Sequence, residues 1–240
     1  MRYTSCSNHA KAVGFLHNER LINSAKDITR VHVCDTADFV EIDTASPLNK
    51  PAIWIKTTGC GGGQTAQRFE QLQTPCLREV SLNAKAVASP LAEFMQIQDA
   101  ETTSRGAYCS AISDGKNILK LAEDIGRHNT LDKLTGFILL LKPSLKPSIL
   151  LTPGRVSSQM LKKSARMGVS LVILLTSPNT FTIQLAKEWG MTLIGYARGF
   201  TFQRLIPPGT FFRPGLKSHQ ENLHLTSGQT GLTIPHKTLK

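Results

Sequence analysis

Between Ser148 and Tyr196 three short apolar runs alternate with two longer amphipathic stretches, and that rhythm restricts the fold more than any other feature. Ser148–Thr152 reads as a strand of the buried type, and Val169–Leu175 and Met191–Tyr196 read as strands. Ser157–Met167 and Thr180–Trp189 read as helices, with Gly168 and Gly190 placed where glycine closes a helix. Strand, helix, strand, helix, strand predicts right-handed crossovers in an α/β domain. Upstream, Ala107–Ile112 and Asn117–Ala122 read as strands flanking the turn signal Asp114-Gly115. Asn129–Leu141 is a predicted helix that Asn129 is placed to cap and that Pro143 and Pro147 end.

The first hundred residues predict a smaller α+β part. Ala12–Ile22 has helix-like spacing, while Ile28–Val33 and Phe39–Ile42 alternate like strands. Pro51–Ile55 reads as a short strand leading into Thr57-Thr-Gly-Cys-Gly-Gly-Gly63. Four glycines in five positions around Cys60 exclude a regular helix or strand and predict a bent or mobile loop. Leu77–Met95 reads as helical material broken once, at Pro90. The expected division is therefore 1–100, then an α/β domain over 101–202, then a basic, poorly ordered tail over 203–240. Four of the twelve prolines fall in that tail.

Charge narrows the choice of partners. The net charge is +11, but the tail holds five Lys/Arg and one acid, leaving +7 over the preceding 202 residues. That balance favours anionic ligands, yet 6% aromatic residues argue against a nucleic-acid platform. The five cysteines form no C-x-x-C pair, so neither a zinc site nor a redox dithiol is predicted and no metal ligands are assigned. No apolar run approaches the ~18 residues of a membrane span, and the first residues lack a signal-peptide core. A reduced, cytoplasmic protein is expected.

Two strand-to-helix turns carry the candidate chemistry. Glu123-Asp-Ile-Gly-Arg-His-Asn-Thr-Leu-Asp-Lys133 offers Arg127 to an anion at a helix start, with His128 beside it as an acid, a base or a loop-holding group. Thr152-Pro-Gly-Arg-Val-Ser157 repeats the arrangement with Arg155, and the end of the last strand adds Arg198. Parallel strands would bring these turns to one carboxyl edge, although neither matches a standard nucleotide-binding glycine pattern. Cys60 is a nucleophile candidate, because flanking glycines expose its thiol and nearby N–H groups favour the thiolate. Cys6, Cys34, Cys76 and Cys109 read as small apolar fillers.

Taken in order, these segments resemble the FdhD family of formate dehydrogenase accessory sulfurtransferases. The resemblance rests on Val13-Gly-Phe-Leu16 leading to Leu21-Ile22, the glycine-rich cysteine loop and the string Glu123–Lys133. It continues through Gly154-Arg-Val-Ser157, Ser177-Pro178 and Gly195-Tyr-Ala-Arg-Gly199, covering about residues 5 to 202. It implies a second domain like cytidine deaminase without zinc, and a sulfur carrier as the activity. A cysteine desulfurase would load Cys60 as a persulfide, which would be delivered to molybdenum held by two molybdopterin guanine dinucleotides before that substrate enters formate dehydrogenase. The implied cofactor-binding stretch falls on Tyr196, Ala197, Arg198, Gly199, Phe200 and Thr201; Arg127, Arg155 and Arg198 would hold anionic groups of the dinucleotides, with His128 aiding geometry or proton transfer. Neither a nucleic-acid nor a membrane partner is expected, and a homodimer is compatible with an open sheet edge. Many family members have a second loop cysteine where this chain has Gly61–Gly63, which narrows transfer to one thiol. Ser104–Tyr108 replaces a histidine that often follows T-G-G-x, opening strands before Val13 are missing, and the segment after Phe202 is unlike the family's short ending. The alternative reading is a non-catalytic cofactor-binding chaperone or a degenerate member.

Overall fold

The structure, a computed structural model, describes residues 8–34, 39–49, 54–56, 64–65, 84–100, 106–198, 201–206 and 221–224. The central sheet has seven strands in the order β11-β10-β9-β8-β7-β5-β6. They are β5 (Tyr108–Ser113), β6 (Ile118–Asp124), β7 (Ile149–Thr152), β8 (Leu171–Leu174), β9 (Thr192–Arg198), β10 (Thr201–Ile206) and β11 (Glu221–His224). Strands β7, β8 and β9 run parallel, with Ile149 opposite Leu171 and Leu171 opposite Thr192. The β5 strand is antiparallel to both β6 and β7, so β6 points the same way as β7.

Right-handed crossovers moving in one direction across a sheet must lay their helices on one face. Accordingly α3 (Arg127–Leu141), α4 (Ser158–Arg166) and α5 (Thr180–Glu188) share a core with Leu150, Val172, Leu174 and Leu193. Ile149, Leu151, Leu171, Ile173 and Ile194 turn to the other face. There they meet Val87, Leu91 and Phe94 of α2 (Ala84–Ala100), three residues at the spacing of one helical stripe. The predicted strand-helix alternation is therefore observed, and β7 and β8 are buried at every position.

Helix α1 (Asn8–Asn18) forms an outer layer against α3 and crosses it through glycine. A Cβ on Gly14 would overlap the Asp132 carbonyl oxygen, and one on Gly136 would overlap that of Ala10. The expected helix Ala12–Ile22 thus starts earlier and stops at Asn18. Arg20 turns left-handed (φ 61°), and the Leu21 N–H closes the end on Leu16 O at 2.9 Å. A separate hairpin pairs β1 (Ile28–Val33) with β2 (Val40–Thr44), and β3 (Ile55–Lys56) pairs with β4 (Gln64–Thr65).

Three local expectations are corrected. Pro90 does not break α2: the helix runs through it, because Val87 on one side and Leu91 and Phe94 on the other hold both halves against the sheet. Residues 77–83 of that predicted helix lie outside the described residues. The boundary placed after Phe202 falls inside β10, whose Gln203 lies opposite Gly195 and Arg204 opposite Ile194, and β11 adds Glu221–His224 beyond it. Ladder hydrogen bonds, invisible to a search for apolar periodicity, carry the chain past that point. The third correction, at Asn129, belongs to the site.

Candidate functional site

Because β6, β7 and β8 point the same way, the starts of α3, α4 and α5 gather at one edge of the sheet. Most of the string Glu123–Lys133 is spent on building that edge. Asp124 Oδ1 accepts from the Gly126 N–H at 3.0 Å and the Asn129 side-chain amide at 2.8 Å. Its Oδ2 lies 2.9 Å from Lys133 Nζ and 3.8 Å from Lys11 Nζ. Burial pushes the Asp124 carboxyl up, but Lys133, the Gly126 N–H, Asn129 and Lys11 outweigh it and hold the group below the usual carboxylate range. Asn129 is not the cap: the N-cap is Gly126, with no side-chain cap bond, and Asn129 is engaged by Asp124 instead.

The next residues of the string also turn inward. Thr130 Oγ1 donates to Arg127 O at 2.7 Å and lies 2.8 Å from Ser110 Oγ, which donates to Thr152 Oγ1 at 3.3 Å. Asp132 is buried between three helices. Lys163 of α4 donates to both its oxygens at 2.8 and 2.7 Å, and Asn18 of α1 donates to Oδ1 at 2.7 Å. What the string leaves at the surface is Ile125, 74% exposed, with Arg127 and His128 partly open.

The second turn meets the first through a side-chain pair. Ser157 is the N-cap of α4 and accepts from the Met160 N–H at 3.4 Å; its Oγ also lies 3.3 Å from His128 Nε2. Gly154 lies beside the ring of Tyr108, which a Cβ there would meet in ordinary contact at 3.7 Å. Arg155 is exposed. The two turns singled out from sequence thus converge at His128 and Ser157. Sequence reasoning placed Ser157 in its turn without pairing it, and it missed Lys163, whose partner Asp132 is 31 residues away.

The remaining assigned residues are placed as follows. Tyr196 is 52% exposed, has φ +53°, unusual for a bulky residue, and donates its N–H to Thr176 O at 3.1 Å. Ala197 is fully buried in the core on the α2 side. Arg198 ends β9 and Thr201 begins β10, opposite one another. Cys60, Gly199 and Phe200 lie outside the described residues. Cys109 is buried in the core, and Cys34 Sγ accepts from the Phe39 N–H at 3.4 Å. Among the described residues no group of three or more His, Cys, Asp or Glu could hold a metal ion, and no helix is long and apolar enough to cross a membrane.

Burial, then the charges of Lys163 and Arg127, lowers the His128 pKa from 6.5 to about 4. His17 is lowered equally, by burial and then Arg166, against opposing backbone hydrogen bonds. Both imidazoles are therefore neutral in the fold at pH 7. Between pH 6.5 and 4 the unfolded chain binds more protons, so stability falls as pH falls through that window. Each histidine contributes at most about 1.4 kcal/mol per pH unit there. Urea unfolding followed from pH 7 to 4 should show this decline, and the His17→Gln/His128→Gln pair should flatten it. An unchanged slope in the double variant would refute the assignment.

The fold and site define a mixed α/β protein with two arginines, Arg127 and Arg155, at helix starts on one carboxyl edge, an arrangement that suits an anionic group. Comparison with known proteins makes the class specific. The FdhD/NarQ family matches residues 1–206, ending where β10 ends. "Sulfur carrier protein FdhD" of Bacillus subtilis (strain 168) is 31% identical over 202 residues, covering 82% of this chain and 77% of its own length. The protein of the same name from Bacillus pumilus (strain SAFR-032) is 28% identical over 206 residues, covering 82% and 79%. The crystal structure of a formate dehydrogenase accessory protein from Desulfotalea psychrophila shares the fold, with a TM-score of 0.66 at 24% identity over 84% of this chain and 78% of that one. The chain belongs to the FdhD/NarQ family.

Proposed function

We propose that the chain is a sulfur carrier for formate dehydrogenase, acting as a sulfurtransferase in the cytoplasm. The observation that carries this reading is the family match over residues 1–206, supported by relatives named as sulfur carrier proteins. Cys60 is the proposed carrier. Its thiolate attacks the outer sulfur of a persulfide on a cysteine desulfurase; the donor's S–S bond breaks, the donor cysteine leaves as thiolate, and Cys60 retains the outer sulfur. The recipient is molybdenum in bis(molybdopterin guanine dinucleotide), a bound substrate. Arg127 and Arg155 suit its phosphates, because guanidinium forks match phosphate oxygens and the starts of α3 and α4 favour negative charge. Tyr196 to Arg198 end β9 at the same edge, and the stretch Tyr196 to Thr201 is the proposed dinucleotide contact. The strand order of β6-β5-β7-β8-β9, with three helices on one face, supports the cytidine-deaminase likeness of this domain.

Incubating the full chain with a cysteine desulfurase and cysteine should add one sulfur atom to the Cys60 peptide, read by mass spectrometry. The gain should be absent from Cys60→Ala, whose nucleotide binding should persist. No sulfur on Cys60 would overturn the carrier reading. The second reading, a cofactor-binding chaperone, is favoured by Gly61–Gly63, which leaves no resolving thiol beside Cys60. It requires Cys60→Ala to go on activating formate dehydrogenase.

A further inference from the structure

We propose that Ser157 fixes His128 in the tautomer with its proton on Nδ1, so that His128 is a neutral hydrogen-bond donor to an anionic group bound at the shared start of α3 and α4. The proposal deepens the nucleotide-site reading above and rests on it for the identity of that group.

The argument begins with a count of protons at Ser157. A serine hydroxyl has one proton and two lone pairs. As N-cap of α4, Ser157 Oγ spends a lone pair on the Met160 N–H at 3.4 Å. Its other partner is His128 Nε2 at 3.3 Å. If the hydroxyl donates to Nε2, its proton is used and the cap is kept. The reverse arrangement would give Oγ two incoming donors and leave its proton without a partner among the described residues. The α4 macrodipole selects the same arrangement. Nε2 lies at the positive end of α4, where a lone pair is favoured and an N–H is not.

Nε2 as acceptor places the ring proton on Nδ1, which has no hydrogen-bond partner among the described residues. Protonating the whole ring is opposed by its burial and then by Lys163 and Arg127. Lys163 is itself held in place by Asp132 at 2.7 Å. With its lone pair on Nε2 engaged by Ser157, His128 offers the site a donor at Nδ1. Beside the charged forks of Arg127 and Arg155, a neutral N–H gives direction to the site without adding charge. The chemistry it fits is a phosphate oxygen. Ser157 is a positioning residue acting through His128.

Long-range 1H–15N NMR of the full 15N-labelled chain, with His128 assigned by loss of its signals in His128→Gln, reads the tautomer directly. The expected result is a protonated Nδ1 and a bare Nε2. Ser157→Thr should preserve this state. Ser157→Asp keeps an N-cap acceptor but has no proton to donate, so it should move the proton to Nε2; Ser157→Ala should give a mixture. GDP, used as the probe, should shift the Nδ1 signal, bind Ser157→Ala roughly tenfold more weakly, and bind Ser157→Thr as it binds the unchanged chain. A proton on Nε2 in the unchanged chain, one tautomer common to all Ser157 variants, or an Nδ1 signal indifferent to bound GDP would overturn the proposal. Failure of the unchanged chain to bind GDP would overturn the nucleotide site itself, with the tautomer still readable on the ligand-free chain.

Discussion

Gly136→Ala is expected to destabilise the chain by about 3 kcal/mol or more, at the upper end of overpacking costs. The sign is the informative part. Gly136 lies inside α3, where alanine is ordinarily better than glycine by about 1 kcal/mol. Here a Cβ would overlap the carbonyl oxygen of Ala10, an atom of α1's backbone that no side-chain rotation can move aside. The same holds for Gly14 against the Asp132 carbonyl, so the two helices touch backbone to backbone at both points. Accommodating one methyl means moving α1 bodily off α3, which also pulls Asn18 from Asp132 and Thr135. Urea unfolding compared at constant m-value measures the effect. A neutral or stabilised Gly136→Ala would show that the helices do not cross this closely.

The second large effect is at Lys163. Removing one partner of a buried ion pair costs about 3–5 kcal/mol, because the other charge is left uncompensated. Asp132 and Lys163 are both buried and meet through two short bonds, so Lys163→Met should fall in that range. Replacing both, as Asp132→Asn with Lys163→Met, should recover much of the loss, since two neutral groups need no charge compensation. Urea unfolding of the double-mutant cycle isolates the coupling. The Lys163→Met variant has a second readout independent of stability. Lys163 is, after burial, the largest cause of the lowered His128 pKa, so that pKa should rise from about 4 on loss of the lysine. A cycle without coupling, or an unmoved His128 titration, would remove Lys163 from this role.

The legible parts of the sequence were those decided by neighbours in the chain. The strands β5 to β9 and helices α3 to α5 follow local rhythm, and each was placed to within a few residues. The errors arose where a competing side chain or tertiary packing decided. Asn129 has the chemistry of a cap, but Asp124 claims its amide. The amphipathic pattern of α4 carried no sign that Lys162 and Lys163 would both be buried. Pro90 signals a break, and packing of residues on both sides overrides it. At the site, the turns and their arginines were legible from residue types. The meeting of His128 with Ser157 was not, because 29 residues separate them and only the shared direction of β6 and β7, each paired antiparallel to β5, brings them together.

The Asn18–Asp132 contact spans 114 positions in the chain, and this separation has a consequence for synthesis. A ribosome adds about 5–20 residues per second. Helix α1 therefore waits roughly 6–25 seconds before α3 has been made, and longer before α4 brings Lys163 to complete the three-way junction. During that interval the face of α1 around Gly14 lacks its partner helix, although the β1–β2 hairpin, which also contacts α1, has already been made. The earliest described element to leave the ribosome thus completes its packing late, once α3 and α4 have followed it.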